Sequence, residues 1–181
     1  ATTAATANDD PRDMRVDYQL GALEESSCGD DPIKLVRRWF DEAAHARMPE
    51  PNAMVLSTVA PHSLQPSSRV VLLKAVGPEG FTWFTNYGSR KAAELAANPR
   101  AALNMVWLPM ERQVRIEGHV VRLSDEESGD YFRSRPRASQ IGAWVSRQSS
   151  PIACADELRR REAELVGRFT SSSGTPLEVP Q

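Results

Sequence analysis

The chain has 181 residues, of which 40% are hydrophobic and 25% are charged, a composition typical of one globular domain with a buried core. The formal net charge of −2 at pH 7 argues against a general nucleic-acid binder, because such proteins are clearly basic. No apolar run reaches the length of a membrane span and no signal-peptide pattern is visible, so we expect a cytoplasmic protein that enters no membrane.

The cysteines and histidines do not form a metal-binding pattern. Cys28 and Cys154 are far apart and follow no metal or redox spacing, and two reduced thiols are favoured over one disulfide in an intracellular protein. The histidines, His45, His62 and His119, also lack ligand spacing. We therefore predict no metal ion.

Helices and short strands are predicted in an order that indicates an α+β fold. Residues 1–14 form a low-complexity tail that we expect to be disordered, and residues 15–181 form a single domain. The first helix is signalled by Asp30 or Asp31 as its cap and by Pro32 in its first turn. Five strands are predicted from apolar, β-branched and aromatic runs at 53–59, 68–76, 81–86, 101–107 and 113–123.

Three more helices are predicted around these strands. One covers residues 89–97, between the third and fourth strands, and ends at Asn98. Ser124 and Glu127 form a capping box that begins the helix carrying Tyr131, and a strongly charged helix covers 156–169. Several short strands in succession favour an antiparallel sheet or small barrel with helices packed outside.

The segment 131–149 is rich in arginine, and no carboxylate occurs between Asp130 and Asp156. Guanidinium groups with hydroxyls between them suit a phosphate monoester, because arginine presents a rigid fork of donors to phosphate oxygens. Tyr131 and Arg135 are four apart and would share one face of a helix, with Ser139 just beyond the break at Pro136. On composition alone, a basic surface rim explains the segment equally well. Its arginines are Arg133, Arg135, Arg137 and Arg147.

The segment TNYGSRK at 85–91 combines a strand end, a flexible turn at Gly88 and a helix start. Ser89 is the predicted cap, and Arg90 and Lys91 follow it in the first turn. Free amides at a helix start attract anions, whereas cations there oppose the helix dipole unless an anion binds. We favour a phosphate site over the alternative, a capped helix with two solvent-facing cations.

Arg69 and Lys74 flank the apolar run VVLL, which raises the question of which anion they face. Residues five apart on one strand point to opposite faces of a sheet, so both reach one ligand only where the strand bulges or ends. Gln113 begins an alternating strand, where a polar residue is also typical of an edge facing water.

Four stretches together resemble the pyridoxamine 5′-phosphate oxidase family, whose members are FMN-dependent enzymes with a split β-barrel fold. They are RVVLLK at 69–74, TNYGSRKAAEL at 85–95, ERQVRIEG at 111–118 and YFRSRPRASQIGAWVSRQSS at 131–150. The resemblance covers residues 15–169 without large gaps. It implies an α+β fold built on an antiparallel split β-barrel with helices outside, and a homodimer that holds FMN at the subunit interface.

The resemblance also implies which residues bind the cofactor and the substrate. Positions that match the family's FMN contacts are Arg69, Val70, Val71, Leu72, Lys74, Phe84, Thr85, Ser89, Arg90, Lys91, Gln113, Gln148 and Ser149. Positions that match its contacts with the B6 phosphate substrate are Arg15, Tyr18, Lys74, Tyr131, Arg135 and Ser139. The first two of these lie on a segment that can close over the substrate.

The implied reaction is oxidation of the 4′ carbon of pyridoxine or pyridoxamine 5′-phosphate to give pyridoxal 5′-phosphate. A hydride passes to the flavin, and dioxygen then reoxidises the flavin and releases hydrogen peroxide. No catalytic side chain is assigned, because hydride transfer needs neither a nucleophile with its base nor paired carboxylates. Two phosphate sites, one for FMN and one for substrate, account for two basic clusters in a slightly negative chain.

The chain departs from the family pattern at its C-terminal end, at Phe84 and in the loop at 60–66, which lacks the usual Asp-Gly turn. Family members continue beyond Pro180 and Gln181 with two more strands, which carry a tryptophan and an arginine for FMN and an Arg-x-His pair for the substrate. We expect the sequence as written to lack these strands and to leave a sheet edge open. Phe84 stands where tyrosine is frequent in the family, which removes a hydroxyl and keeps the ring.

Three functions remain open on this evidence. The first is an oxidase of vitamin B6 metabolism. The second is a flavin-binding split-barrel protein with another substrate, against which the joint presence of Tyr131, Arg135 and Ser139 argues. The third is a non-catalytic module that binds only FMN or a B6 phosphate, or only dimerises.

Overall fold

The computed structural model describes residues 10–170 and 177–180. The predicted tail and the end of the predicted domain therefore lie partly outside the described residues, and a 3₁₀ turn at Pro11–Asp13 falls within them. The helices are α1 (Glu25–Cys28), α2 (Pro32–His45), α3 (Arg90–Ala97), α4 (Asp125–Ser134), α5 (Arg137–Val145) and α6 (Ala155–Thr170). The strands are β1 (Ala53–Val59), β2 (Pro66–Leu72), β3 (Ala75–Gly77), β4 (Gly80–Thr82), β5 (Arg100–Trp107) and β6 (Arg112–His119).

The longer strands form one antiparallel sheet in the order β2-β1-β5-β6, and β3 pairs with β4 as an antiparallel hairpin. β2 and β6 therefore lie at the two edges of the larger sheet. Hairpin connections join β1 to β2 and β5 to β6, the latter through a 3₁₀ turn at Leu108–Met110. This arrangement confirms the prediction of an α+β fold with an antiparallel sheet.

One face of the larger sheet is apolar and buried. β1 alternates in burial, so Met54 and Leu56 point into the core, and Trp107 of β5 donates from its indole Nε1 to the Pro51 carbonyl. Most of the other core residues come from the helix and strands that pack on this face. They are Val36 and Ala43 of α2, Val71 and Leu73, Val76 of β3, and Leu103 and Met105 of β5.

The opposite face of the sheet, called the outer face below, is only partly covered. The strand register pairs Val70, Val55, Asn104 and Arg115 across the sheet, and it pairs Val106 with Gln113 in the neighbouring row. Val70 of β2 is 65% exposed and Val106 of β5 is 42% exposed, so apolar side chains remain open on this face. The residues of the outer face used below are Val55, Val70, Leu72, Asn104, Val106, Gln113 and Arg115.

The predicted strand at 68–76 is wrong in one respect, because the chain changes partner in its middle. β2 ends at Leu72, the Leu73 N–H donates to the Asn52 carbonyl, and the Lys74 N–H donates to Thr82. The chain thus leaves β1 and begins the β3–β4 hairpin. The strand therefore ends beside Lys74, as is required for Arg69 and Lys74 to reach one ligand, but the two cations lie in separate groups of side chains.

Other element boundaries also differ from the predictions. The third strand stops at Thr82, the fifth stops at His119, and the residues that follow each form loops. Helix α5 was not predicted, because its sequence RASQIGAWV lacks a capping side chain and contains glycine. A tertiary contact supports it instead: the buried Gln140 amide donates to the carbonyls of Arg133 and Arg135 at the end of α4.

Two predicted helix starts are confirmed by their capping hydrogen bonds. The Asp31 carboxylate accepts from the N–H groups of Ile33 and Lys34 at the start of α2. Ser124 and Glu127 exchange the reciprocal bonds of a capping box at the start of α4. Such caps satisfy backbone donors that have no partner within the helix, so they set its first residue.

We expect Leu56→Ala to lower the free energy of unfolding by about 2–5 kcal/mol, because Leu56 is fully buried and its removal leaves a cavity. Leu64→Ala is the matched control, since Leu64 is 71% exposed, and it should change stability by less than about 0.5 kcal/mol. Urea denaturation followed by circular dichroism measures both. Equal effects of the two variants would contradict the assigned core.

Candidate functional site

The start of α3 gathers several of the predicted cofactor residues. The loop after β4 turns at residues 86–89, where the Asn86 side chain accepts from the Gly88 N–H and the Asn86 carbonyl accepts from the Ser89 N–H. Ser89 occupies the cap position, as predicted, but its side chain makes no capping hydrogen bond. Its hydroxyl is buried and instead lies 3.4 Å from the Lys91 ammonium.

Lys91 is a buried cation at the start of this helix. Its Nζ donates to the Gln148 amide oxygen at 2.7 Å, which brings two predicted cofactor residues together across the fold. Within the described residues, the structure records no ion pair for Lys91. Burial lowers the pKa of Lys91 from its ordinary value, and the positive charge of Arg69 lowers it further. A buried ammonium that has no carboxylate partner favours the binding of an anion beside it.

Arg69 and Arg90 are both held by the buried carboxylate of Glu94. Arg90 donates from Nε to Oε1 at 2.7 Å, and the Arg69 guanidinium lies 3.4 Å from Oε2. The hydroxyls of Thr58 and Ser67 also donate to Oε2. Glu94 therefore joins β1, β2 and α3 beside the cations.

The pKa of Glu94 reflects this network. Burial by itself raises the pKa of the carboxyl. Hydrogen bonds from Thr58, Arg90 and Ser67, together with the positive charge of Arg90, outweigh that effect and lower the pKa to about 2. The carboxylate is thus charged at every physiological pH.

A second group of predicted residues lies where β2 has ended. The Phe84 and Tyr131 rings are stacked, with their centroids 3.6 Å apart and their planes 7° from parallel. The Lys74 ammonium lies 5.8 Å from the centre of the Tyr131 ring. The structure thereby connects a predicted cofactor residue, Phe84, directly with a predicted substrate residue, Tyr131.

Arg135 and Ser139 are placed differently from the helix-face prediction. Helix α4 ends at Ser134, so Arg135 is its extended C-cap and does not share a helical face with Tyr131. The reason is Pro136, because the residue before a proline disfavours the helical conformation. The Arg135 guanidinium lies 5.9 Å from the centre of the Phe132 ring, and Ser139 is half-buried in the first turn of α5.

The remaining predicted residues make no side-chain contact with these two groups that is seen in the described part of the chain. Gln113 lies on the outer face and donates to Asn104, and Val70 and Leu72 lie on the same face. Val71 points into the core, and Thr85 is half-buried in the loop after β4. Ser149 is exposed in a turn with a φ of 69°.

Arg15 and Tyr18 lie in an exposed segment before α1, and the Tyr18 side chain is 72% exposed. The end of this segment is held by Glu111, whose Oε2 accepts from the N–H groups of Gln19 and Leu20. Glu111 precedes β6, so the segment is attached close to the strand that carries Gln113. This contact joins chain positions too far apart for sequence patterns to reveal.

Comparison with known proteins assigns the family. A family model described as pyridoxamine 5′-phosphate oxidase matches residues 40–166. A pyridoxine/pyridoxamine 5′-phosphate oxidase from Cupriavidus taiwanensis is 52% identical over 164 residues, which cover 91% of this chain and 77% of that protein. One from Rubrobacter xylanophilus is 50% identical over 167 residues, which cover 92% and 75%. The chain belongs to the pyridoxamine 5′-phosphate oxidase family.

Solved structures agree with this assignment. PhzG from Burkholderia lata 383, in complex with tetrahydrophenazine-1-carboxylic acid, has a TM-score of 0.79 and 28% identity, covering 88% of this chain and 77% of that one. A pyridoxamine 5′-phosphate oxidase-related, FMN binding protein from Nostoc punctiforme PCC 73102 has a TM-score of 0.57 and 16% identity, covering 68% and 70%. The second likeness shows the fold alone. The predicted family and split-barrel type of fold are confirmed.

Sequence reasoning did not single out Glu94, although it lies inside the family motif at 85–95. Its position four residues after Arg90 indicates an ordinary helical ion pair. Only its burial, and its contacts with Thr58 and Ser67 from the sheet, show that the carboxylate sits at the centre of the cation cluster.

The described part of the chain contains no group of three or more histidine, cysteine, aspartate or glutamate side chains arranged to hold a metal ion. No helix in residues 10–170 or 177–180 is both long enough and apolar enough to cross a lipid bilayer.

We expect Glu94→Gln to remove one pH-dependent contribution to stability. The folded-state pKa of about 2 lies below the ordinary value of 4.5, so the ionised carboxylate stabilises the fold above pH 4.5 and this contribution is lost as pH falls towards 2. The free-energy difference between wild type and variant should be constant at neutral pH. Below pH 4.5 it should shrink, by up to about 1.4 kcal/mol per pH unit.

Urea denaturation between neutral pH and about pH 3 measures this difference, because wild type and variant share every other titrating group. Glu79→Gln is the control, since Glu79 is exposed in the β3–β4 turn. A wild-type–Glu94→Gln difference that stays constant across the acid range would show that the carboxylate is not held in its charged form by the fold.

Proposed function

We propose that this protein is an FMN-dependent oxidase that converts pyridoxamine or pyridoxine 5′-phosphate to pyridoxal 5′-phosphate. The observation that carries the proposal is the cluster of Arg69, Arg90 and Lys91 around one carboxylate, Glu94. Three positive charges and one negative charge leave two positive charges, which suit a phosphate monoester of nearly two negative charges. Relatives about half identical in sequence are named as oxidases of this substrate class.

The residues present fit the phosphate of FMN. Arg90 offers the terminal nitrogens of its guanidinium, for which no partner is recorded among the described residues. Lys91 offers a buried positive charge, and the α3 start offers backbone N–H groups that have no helical partner. Gln148 reaches the same place through its bond to Lys91. Five residues assigned to FMN therefore lie together there, namely Arg69, Ser89, Arg90, Lys91 and Gln148.

The substrate group lies around Tyr131. Lys74 approaches the ring of Tyr131, and Phe84 stacks on it, so this region adjoins a residue assigned to the flavin. Arg135 is the C-cap of the helix that carries Tyr131, and its guanidinium is a charged fork suited to the substrate phosphate. The protein's contribution is to bind and orient two phosphorylated molecules, and FMN supplies the electron acceptor that dioxygen reoxidises.

The outer face supports a homodimer as part of the proposal. It exposes valine side chains on β2 and β5 and carries assigned cofactor residues, Val70, Leu72 and Gln113, away from the cation cluster. One chain therefore presents FMN-assigned residues on two separate surfaces. A second copy packed on the outer face would cover the apolar side chains and bring the two sets of residues to one cofactor.

A different substrate is the second candidate. PhzG, which has a similar fold, is known in complex with tetrahydrophenazine-1-carboxylic acid, so the fold accommodates another ligand class. That ligand carries a carboxylate and no phosphate. The conjunction of Tyr131, Arg135 and Ser139 favours the phosphate-bearing substrate in this chain.

We expect Val70→Asp to convert a dimer into a monomer, because the new charge would be buried in an apolar interface. Sedimentation equilibrium without flavin measures the mass. Val121→Asp is the control, since Val121 is 83% exposed and lies beyond the end of β6, and it should leave the dimer intact. A monomeric wild type, or a dimeric Val70→Asp variant, would refute the outer-face dimer.

The function is tested by titrating the 181-residue chain with FMN and following the quenching of flavin fluorescence. Saturable binding, followed by hydrogen peroxide release with pyridoxamine or pyridoxine 5′-phosphate, is the expected result. Saturable binding without turnover would support the binding module instead. Absence of FMN binding would refute the proposed function for this chain.

Two arginine variants separate the two phosphate sites. Arg135→Ala should raise the KM for the B6 phosphate by about 10- to 100-fold with nearly unchanged FMN affinity, because a charged hydrogen bond contributes roughly 1.5–3 kcal/mol. Arg90→Ala should raise the Kd for FMN by a similar factor and should change the KM for the B6 phosphate much less. Each variant is the control for the other. Loss of FMN from Arg135→Ala would show that the division into two sites is wrong.

A further inference from the structure

The carboxylate of Glu94 is the only buried carboxylate among the described residues, and its side chain is 4% exposed. Burial of a carboxylate is costly unless it is paired and hydrogen-bonded. The fold satisfies this one with donors from β1, β2 and α3 at the place where the cations gather. Neither the assigned cofactor residues nor the assigned substrate residues include it.

The two oxygens of Glu94 hold the two arginines in different ways. Oε1 accepts from Nε of Arg90, and Oε2 lies 3.4 Å from a terminal nitrogen of Arg69. Thr58 and Ser67 complete the arrangement, because each hydroxyl accepts from the Arg69 guanidinium and donates to Oε2.

The bond from Nε determines which edge of the Arg90 guanidinium faces away from Glu94. With Nε occupied, the two terminal nitrogens remain, and the side chain is 57% exposed. Those nitrogens form the fork that pairs with two phosphate oxygens. Without Glu94, the Arg90 side chain would lose its only recorded hydrogen bond in the described residues and would sample many rotamers.

Arg69 is fixed more completely. Its terminal nitrogens donate to the Leu56 carbonyl and to the hydroxyls of Thr58 and Ser67, and its side chain is 20% exposed. Its charge therefore acts from a constant position, close enough to Lys91 to lower that pKa. The carboxylate of Glu94 thus links the two arginines, Arg69 and Arg90.

We propose that Glu94 is a positioning residue for the cofactor phosphate, which orients Arg90 and holds Arg69 so that FMN meets a preformed site. The inference deepens the proposed function and rests on it. For Glu94→Gln, the positioning role and simple charge repulsion predict opposite changes in FMN affinity. A carboxylate near a phosphate repels it, so removing the charge alone would tighten FMN binding. Loss of positioning weakens FMN binding instead.

The test compares wild type, Glu94→Gln and the exposed control Glu79→Gln in titrations with FMN and with riboflavin, which lacks the phosphate. In Glu94→Gln the Kd for FMN should rise about tenfold or more, as for a misdirected charged hydrogen bond. The Kd for riboflavin should not change, and Glu79→Gln should match wild type for both. FMN binding as tight as in wild type, or tighter, would overturn the proposal. A parallel loss of both flavins would also overturn it, because that pattern indicates general damage to the fold.

A second variant keeps the test decisive if Glu94→Gln does not fold. Ser67→Ala removes one donor to Oε2 and one acceptor for Arg69, and it leaves the buried charge in place. It should weaken FMN binding and spare riboflavin, whereas unchanged FMN affinity would overturn the positioning role.

Failure of the proposed function is distinguishable from failure of this inference. If wild type binds no FMN, inorganic phosphate replaces it as the probe, with thermal stabilisation as the readout. If phosphate raises the thermal stability of wild type and raises that of Glu94→Gln less, Glu94 still positions an anion site, although that site does not bind FMN. Equal stabilisation of both proteins, or none in either, overturns it.

Discussion

Buried charged side chains at the junction of β1, β2 and α3 must be paired or hydrogen-bonded, and this requirement constrains the packing there. A carboxylate and an ammonium are both removed from water there, and each would be costly alone. The carboxylate of Glu94 accepts hydrogen bonds from four side chains, whereas the partners of Lys91 within residues 10–170 and 177–180 are the neutral side chains of Ser89 and Gln148. The surplus of positive charge is therefore concentrated in one place. That imbalance is what distinguishes an anion site from an ordinary network of surface ion pairs.

The end of β2 is the second constraint on the site. Because Leu73 turns into the core and Lys74 pairs with Thr82, the chain passes from the larger sheet to the β3–β4 hairpin within two residues. Arg69 thus stays on the sheet beside α3, and Lys74 is delivered to the stacked rings of Phe84 and Tyr131. One short segment thus supplies a cation to each of the two groups of residues.

The two faces of the larger sheet have different roles. The inner face buries Met54, Leu56 and Met105 and supplies the stability on which the site depends. The outer face leaves Val70 and Val106 open to solvent beside polar side chains. Alternation along the strands thereby places residues of one motif on opposite sides, so neighbours in sequence face different partners. In the proposed dimer, the second copy reunites them.

The sequence by itself determined the elements whose signals are local. The caps at Asp31 and Ser124 and the apolar, β-branched run at 53–59 act within a few residues, so the helices and the strand that they specify could be predicted. The motifs at 69–74, 85–95, 111–118 and 131–150 likewise sufficed for the family. The end of α4 at Ser134 was missed although its cause, the proline at position 136, is local. The partner change at Leu73 was missed because hydrogen bonds to two different parts of the chain decide it.

Only the tertiary structure decided which of these side chains meet. Glu94 reaches Arg69 across 25 positions, and Lys91 reaches Gln148 across 57 positions, through the packing of α3 against the sheet and the path of the chain after α5. Charge and periodicity are properties of a segment, whereas burial and hydrogen bonding depend on every element around it. A carboxylate that resembles a helical ion pair in the sequence is therefore the centre of the cation cluster in the fold.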